Sequence, residues 1–169
     1  VPWAWTELEL PNWAKVLTLH VAGSAISIAA LVLHLRGRKV FAQGLAGVGI
    51  FTLYASAWAA QHHYQIWGES GLWTFIECAL ITALAIAAAV SSRSVAIVLL
   101  GALGGYLTPI ITPDWQDSHV TMFTYLAFLN VALVGSAVLR GWSFLKPLAL
   151  LATMLMFAAW MLSRPFDPA

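Results

Sequence analysis

The chain has 169 residues, of which 61% are hydrophobic and 9% charged, against the roughly 25% charged residues of an ordinary soluble domain. With a mean hydropathy of +0.83, it carries more apolar surface than a soluble fold of this size can hide, so lipid is the expected solvent. A formal net charge of +1 gives no basis for a nucleic-acid partner, and the single cysteine, Cys78, excludes an intramolecular disulfide and any cysteine-based metal cluster.

The chain opens "VPWAWTELELPNWAK", without an initiator methionine and without the basic, apolar, small-residue order of a signal peptide. Residues 1–12 therefore read as a segment outside the membrane, and the chain as an excerpt or a processed product. Six apolar runs follow, Trp13 to Leu35, Val40 to Ala60, Leu72 to Ser92, Val95 to Thr112, His119 to Leu139 and Leu145 to Ser163. Each approaches the roughly 20 residues that a helix needs to cross a hydrocarbon core of about 30 Å. Backbone in lipid must satisfy its own hydrogen bonds, and no alternating ten-residue pattern of a barrel occurs, so the runs predict helices. The expected fold is all-α: a polytopic bundle of six transmembrane helices over residues 13–163, with residues 164–169 as a short tail.

Arg36, Arg38, Lys39, Arg93, Arg140 and Lys146 follow the first, third and fifth runs; only Lys15 and Arg164 fall on the other side. The positive-inside rule then places both termini on the non-cytoplasmic side of the membrane. All seven acids fall toward that outer side: Glu7, Glu9, Glu69, Glu77, Asp114, Asp117 and Asp167. So do Trp3, Trp5, Trp13, Trp58, Trp67, Trp73, Trp115 and Trp160, which predicts an interfacial aromatic belt, with Trp142 alone opposite.

In chain order, the first run carries His20, Ser27 and His34 at seven-residue intervals with Gly23 and Ser24 between them. That spacing keeps them on one stripe, about 21 Å long at roughly 1.5 Å per residue, which suits a packing seam. The alternative use of the stripe is ligation of a haem or chlorophyll-type pigment by the imidazole of His20 or His34. Gly44 and Gly47 mark a seam on the second run. Glu77 sits inside the third, where a carboxylate needs a partner; it is expected to snorkel to the interface or to accept a hydrogen bond from an outer-side group such as His62, His63 or Lys15. In the fourth run, "GALGGYLTPII", Gly101 and Gly105 form a notch for a neighbouring helix, and Pro109 removes the bond to the Gly105 carbonyl close to the helix end. Asn130, within "FLNVAL", is expected to hydrogen-bond across helices. His62, His63, His119, Asp114, Asp117 and Glu69 share the outer side, but no HxxxH or HExxH spacing supports a metal site. Nor is there a GxSxG elbow or a phosphate-binding loop.

"LRG" occurs at Leu35 to Gly37 and again at Leu139 to Gly141, too short a match to define a repeat. Three longer stretches, "FAQGLAGVGIFTLY", "LLGALGGYLTPII" and "HVTMFTYLAFLNVALVGSAVLRGWSFL", together resemble the bacterial predicted membrane proteins grouped as domain of unknown function 2339. The resemblance runs from about Trp13 to Ser163 and implies one six-helix block of a longer membrane protein. It carries no activity and no catalytic residue.

These features predict a non-enzymatic structural or accessory subunit, with lipid and other transmembrane helices, in separate subunits or a longer parent chain, as its partners. No cofactor is expected. The main rival is a transporter or channel-like block whose path is lined by Glu77, Asn130 and the helix at 95–112.

Overall fold

The computed structural model describes residues 10–66, 72–111 and 119–163. Six helices follow in order: α1 (Asn12–Leu35), α2 (Lys39–His62), α3 (Leu72–Ser92), α4 (Val95–Ile111), α5 (His119–Arg140) and α6 (Leu145–Ser163). Their bounds differ from the apolar runs by a residue or two, as helix ends usually do. Five of the six are long and apolar enough to cross a membrane. The fourth departs from expectation: α4 has 17 residues, about 26 Å of helix at roughly 1.5 Å per residue. It packs against α2, α3, α5 and α6, and a helix surrounded by others need not match the full hydrocarbon thickness by itself.

Three tight hairpins organise the chain, α1–α2, α3–α4 and α5–α6, and each turns through a residue in the left-handed region. Gly37 has φ +83°, Arg93 +54° and Gly141 +72°. Each turn closes with the same long bond: Arg38 N–H to the Leu33 carbonyl, Ser94 N–H to Ala89 and Trp142 N–H to Ala137, at 3.0, 3.1 and 3.0 Å. This is the helix-ending motif in which a left-handed residue lets the chain satisfy carbonyls of the last turn. The two "LRG" triplets are therefore the same helix stop used twice. Glycine meets the conformation without strain; Arg93 adopts it with a side chain.

α1 and α2 form the most extensive helix pair. The face of α1 that meets α2 contains buried Val16, Gly23 and Ala30, interleaved with half-buried His20, Ser27 and His34. The combined steps of four and three residues are those of a coiled-coil seam. Elsewhere the core is built from small residues at helix crossings, among them Ala57, Ala60, Ala85, Ala89 and Ala102, and from Leu126, Leu133 and Leu145 at the centre of the second half. Large apolar residues such as Val21, Phe51, Leu84, Val131 and Leu150 point outward. An apolar exterior of this kind fits a hydrocarbon solvent.

Candidate functional site

Among the described residues, polar side chains inside the bundle bond between helices in several places: Tyr54 of α2 meets Thr82 of α3 at 2.6 Å, and two larger groups lie beside that pair. The first joins α1, α2 and α3. His20 lies about two turns into α1, and its Nε2 meets the Oε1 of Glu77, which lies in the second turn of α3. On the other side of the ring, Nδ1 is 3.0 Å from the Val16 carbonyl and 2.7 Å from the Ser56 hydroxyl of α2. The Val16 carbonyl only accepts, whereas the Ser56 hydroxyl can donate or accept, so Nδ1 can be met in either tautomer of the ring. Nε2 sets a basic group against Glu77, which matters because a carboxylate within an apolar bundle is costly without a partner. The two side chains keep 28% and 20% of their exposure, so the pair is lodged between helices without being sealed. One turn nearer the helix ends, Thr74 of α3 donates to Gln61 Oε1 of α2 at 3.0 Å.

Glu77 thus has a different partner from those the sequence suggested. Lys15 lies over the Tyr64 ring at 5.9 Å, His62 stacks on Trp58 and His63 packs edge-on against Tyr64. Among the described residues, no group of three or more His, Cys, Asp or Glu side chains could hold a metal; Glu69, Asp114 and Asp117 lie outside them.

The second group joins α4, α5 and α6. The Tyr106 hydroxyl donates to Asn130 Oδ1 at 2.7 Å, the Asn130 amide donates to Thr153 Oγ1 at 2.8 Å, and Thr153 donates to the Ala149 carbonyl at 2.8 Å. Glu77 and Asn130 therefore belong to separate groups. Two apolar clefts, of about 310 Å³ between α2 and α4 and about 320 Å³ among the first four helices, are lined by other residues. His34 lines the latter cleft, and its Nδ1 is buried without a hydrogen-bond partner among the described residues. His20 has both ring nitrogens engaged, so a metal centre bound there would have to displace Glu77 or Val16.

The glycines divide sharply. A Cβ built on Gly23 would come within 3.0 Å of Leu53; on Gly47, within 2.9 Å of Leu100; on Gly101, within 3.0 Å of Ala85; and on Gly105, within 2.9 Å of both Leu129 and Thr82. Ser27 donates to the Gly23 carbonyl at 2.9 Å and lies against α2. Gly44 is the correction: nothing lies within 4 Å of its Cβ position. The contact on α2 is made instead by Gly49, which faces Ser27 and the Gly23 carbonyl, and Gly104 of α4 is covered by the Tyr54 ring. Neither stands out in the sequence, although Gly49 and Gly104 sit in the same glycine-rich stretches.

α4 runs unbroken through Gly104, Gly105 and Pro109. Pro109 lacks the N–H that would bond Gly105, and the Tyr125 hydroxyl of α5 donates to that carbonyl at 2.9 Å. Tyr125→Phe is expected to leave the carbonyl unpaired and cost roughly 1 kcal/mol. In a Pro109→Ala background, where the introduced backbone N–H reclaims the carbonyl, the same change should cost less than half as much. Equal losses in the two backgrounds, measured by thermal unfolding in detergent, would show that the tyrosine does not replace the missing bond.

A bundle of long apolar helices with lipid-compatible flanks and interhelical polar bonds is a multi-pass α-helical membrane protein. Residues 4–169 match the family of predicted membrane proteins grouped as domain of unknown function 2339, and the chain belongs to that family. No curated protein and no solved structure matches it.

Proposed function

We propose that the chain is a non-enzymatic helix-packing block of a bacterial inner membrane, multi-pass, with both termini on the non-cytoplasmic side. Its partners are lipid and other transmembrane helices, in separate subunits or in a longer parent chain. The observation that carries the reading is the engagement of its interior polar groups between helices: Glu77 with His20, and Asn130 with Tyr106 and Thr153. Groups tied to neighbours in this way hold a bundle in register. Purification from native membranes in mild detergent tests it: a co-migrating membrane subunit, or the intact parent chain, is expected. A lone chain carrying an enzymatic activity would overturn it.

Orientation has its own check. In a Cys78→Ser background, cysteines introduced at Ser70 and Gln116 should react with an impermeant maleimide in intact cells, whereas cysteines at Arg38, Arg93 and Arg140 should not. The reverse pattern would invert the topology.

The His20–Glu77 pair supports a second reading, a proton- or cation-handling site in a transport block, because it sets an imidazole against a carboxylate and is partly exposed. Glu77→Gln discriminates the two. Proton flux into proteoliposomes that disappears in an assembled Glu77→Gln variant favours transport. Absence of flux in the parent protein favours the packing block. Neither reading uses a haem or pigment, and a Soret or chlorophyll-like band removed by His20→Phe or His34→Phe would replace both.

A further inference from the structure

At the end of the bundle where α3 and α5 finish, Arg93, Leu139, Arg140 and Trp142 line a pocket of about 220 Å³. That is room for roughly seven waters at about 30 Å³ each, enough for one tetrahedral anion with part of its hydration. We propose that this pocket binds the phosphate of an anionic lipid headgroup.

Three observations converge on that ligand. The first is charge. The pocket holds two guanidinium groups, and among the described residues the only ion pair is the one between His20 and Glu77. Glu77 lies 16 residues before Arg93 along α3 and its closing turn, about 24 Å away at roughly 1.5 Å per residue, well beyond a physiological Debye length of about 8 Å. By chain order the other six acids fall before α1, between α2 and α3, between α4 and α5, and after α6, whereas the arginines stand in the α3–α4 and α5–α6 connections.

The second observation is an unmet donor. Arg140 Nε is buried and has no hydrogen-bond partner among the described residues. A guanidinium offers a planar fork of donors that matches two phosphate oxygens, which suits arginine to the site. The third is position. Trp142 is partly buried against the hydrophobic core, and its indole belongs at headgroup depth. Leu139, 73% exposed, offers apolar surface beside the pocket for the start of an acyl chain. A basic pocket between helix ends at the interface is the kind of place where phospholipid headgroups dock.

The test uses the full chain in nanodiscs of equal parts phosphatidylcholine and phosphatidylglycerol, extracted into mild detergent, with mass spectrometry of the retained lipid. Phosphatidylglycerol is expected to be enriched over phosphatidylcholine, and enrichment should fall about fivefold for each arginine removed. Arg93→Gly is the safest variant, because it removes the charge and also relieves the left-handed backbone; Arg140→Gln removes the second charge. Arg36→Gln with Arg38→Gln, at another turn of the same end, should leave the enrichment within about twofold if the pocket rather than general basicity does the binding. Excess inorganic phosphate is added as a competitor: retained phosphatidylglycerol supports the lipid, and its displacement overturns the lipid in favour of a soluble phosphate. Unchanged enrichment in Arg93→Gly/Arg140→Gln, or an equal fall in Arg36→Gln/Arg38→Gln, overturns the pocket.

Discussion

Gly49→Ala is expected to push α1 away from α2, while Gly44→Ala, five residues earlier on the same helix, is expected to stabilise the protein. A Cβ at Gly49 would lie 2.9 Å from the Ser27 backbone nitrogen and 3.1 Å from the Gly23 carbonyl oxygen, and would meet the Ser27 side chain closer still. Two of those atoms are the backbone of α1, which cannot step aside as a side-chain tip can, so the helices must separate along their closest approach. Overpacking of this kind costs about 1–3 kcal/mol. At Gly44 nothing lies within 4 Å, and replacing glycine by alanine there recovers helix propensity of up to about 1 kcal/mol. Opposite signs are therefore expected in thermal unfolding of the two variants in detergent. Comparable losses at both positions would show that α2 presents another face to α1. Gly105→Leu, wedged between Thr82 and Leu129, is expected to resemble Gly49→Ala.

The helices were legible because length and hydropathy alone decide which segments enter lipid, and both survive without knowledge of their neighbours. The pairings were not, because they depend on tertiary register. His20 and Glu77 are 57 residues apart, and nothing local to either points to the other. One clue was available in the α1–α2 hairpin. Ser27 faces Gly49, Gly23 faces Leu53 and His20 faces Ser56, and each α1 residue lies as far before Arg38 as its partner lies after it. A turn at "RGRK" fixes that register, since antiparallel helices joined by a short loop pair residues equidistant from it. Read this way, the heptad of small residues on α1 selects Gly49 rather than Gly44 as its counterpart. The α3–α4 hairpin obeys the same rule about Arg93, which sets Gly101 against Ala85. What no hairpin register supplies is contact between hairpins, and Tyr106 with Asn130, Tyr125 with Gly105 and His20 with Glu77 are all of that kind.

The largest loss is expected from His20→Leu, which removes the one described partner of an intramembrane carboxylate. Glu77 must then either remain charged in a low-dielectric surrounding or take up a proton at a cost, and stranding one member of a buried pair typically costs about 3–5 kcal/mol. Partial exposure of Glu77 to its surroundings places the expectation at the lower end, about 3 kcal/mol. Glu77→Leu should be milder, about 1–2 kcal/mol, because His20 can remain neutral and keep its Nδ1 bond to Val16 while losing only the Nε2 contact. Glu77→Gln should be milder again, since an amide oxygen or nitrogen can meet whichever tautomer the ring adopts. The decisive variant is His20→Leu/Glu77→Leu. With both polar groups gone no charge is stranded, so the double variant should be more stable than His20→Leu alone, and the two single losses should fail to add by at least about 1 kcal/mol. Reversible unfolding in bicelles measures all four proteins on one scale. Additive losses would mean that the two side chains act independently, and the contact between them would then have no structural role in joining α1 to α3.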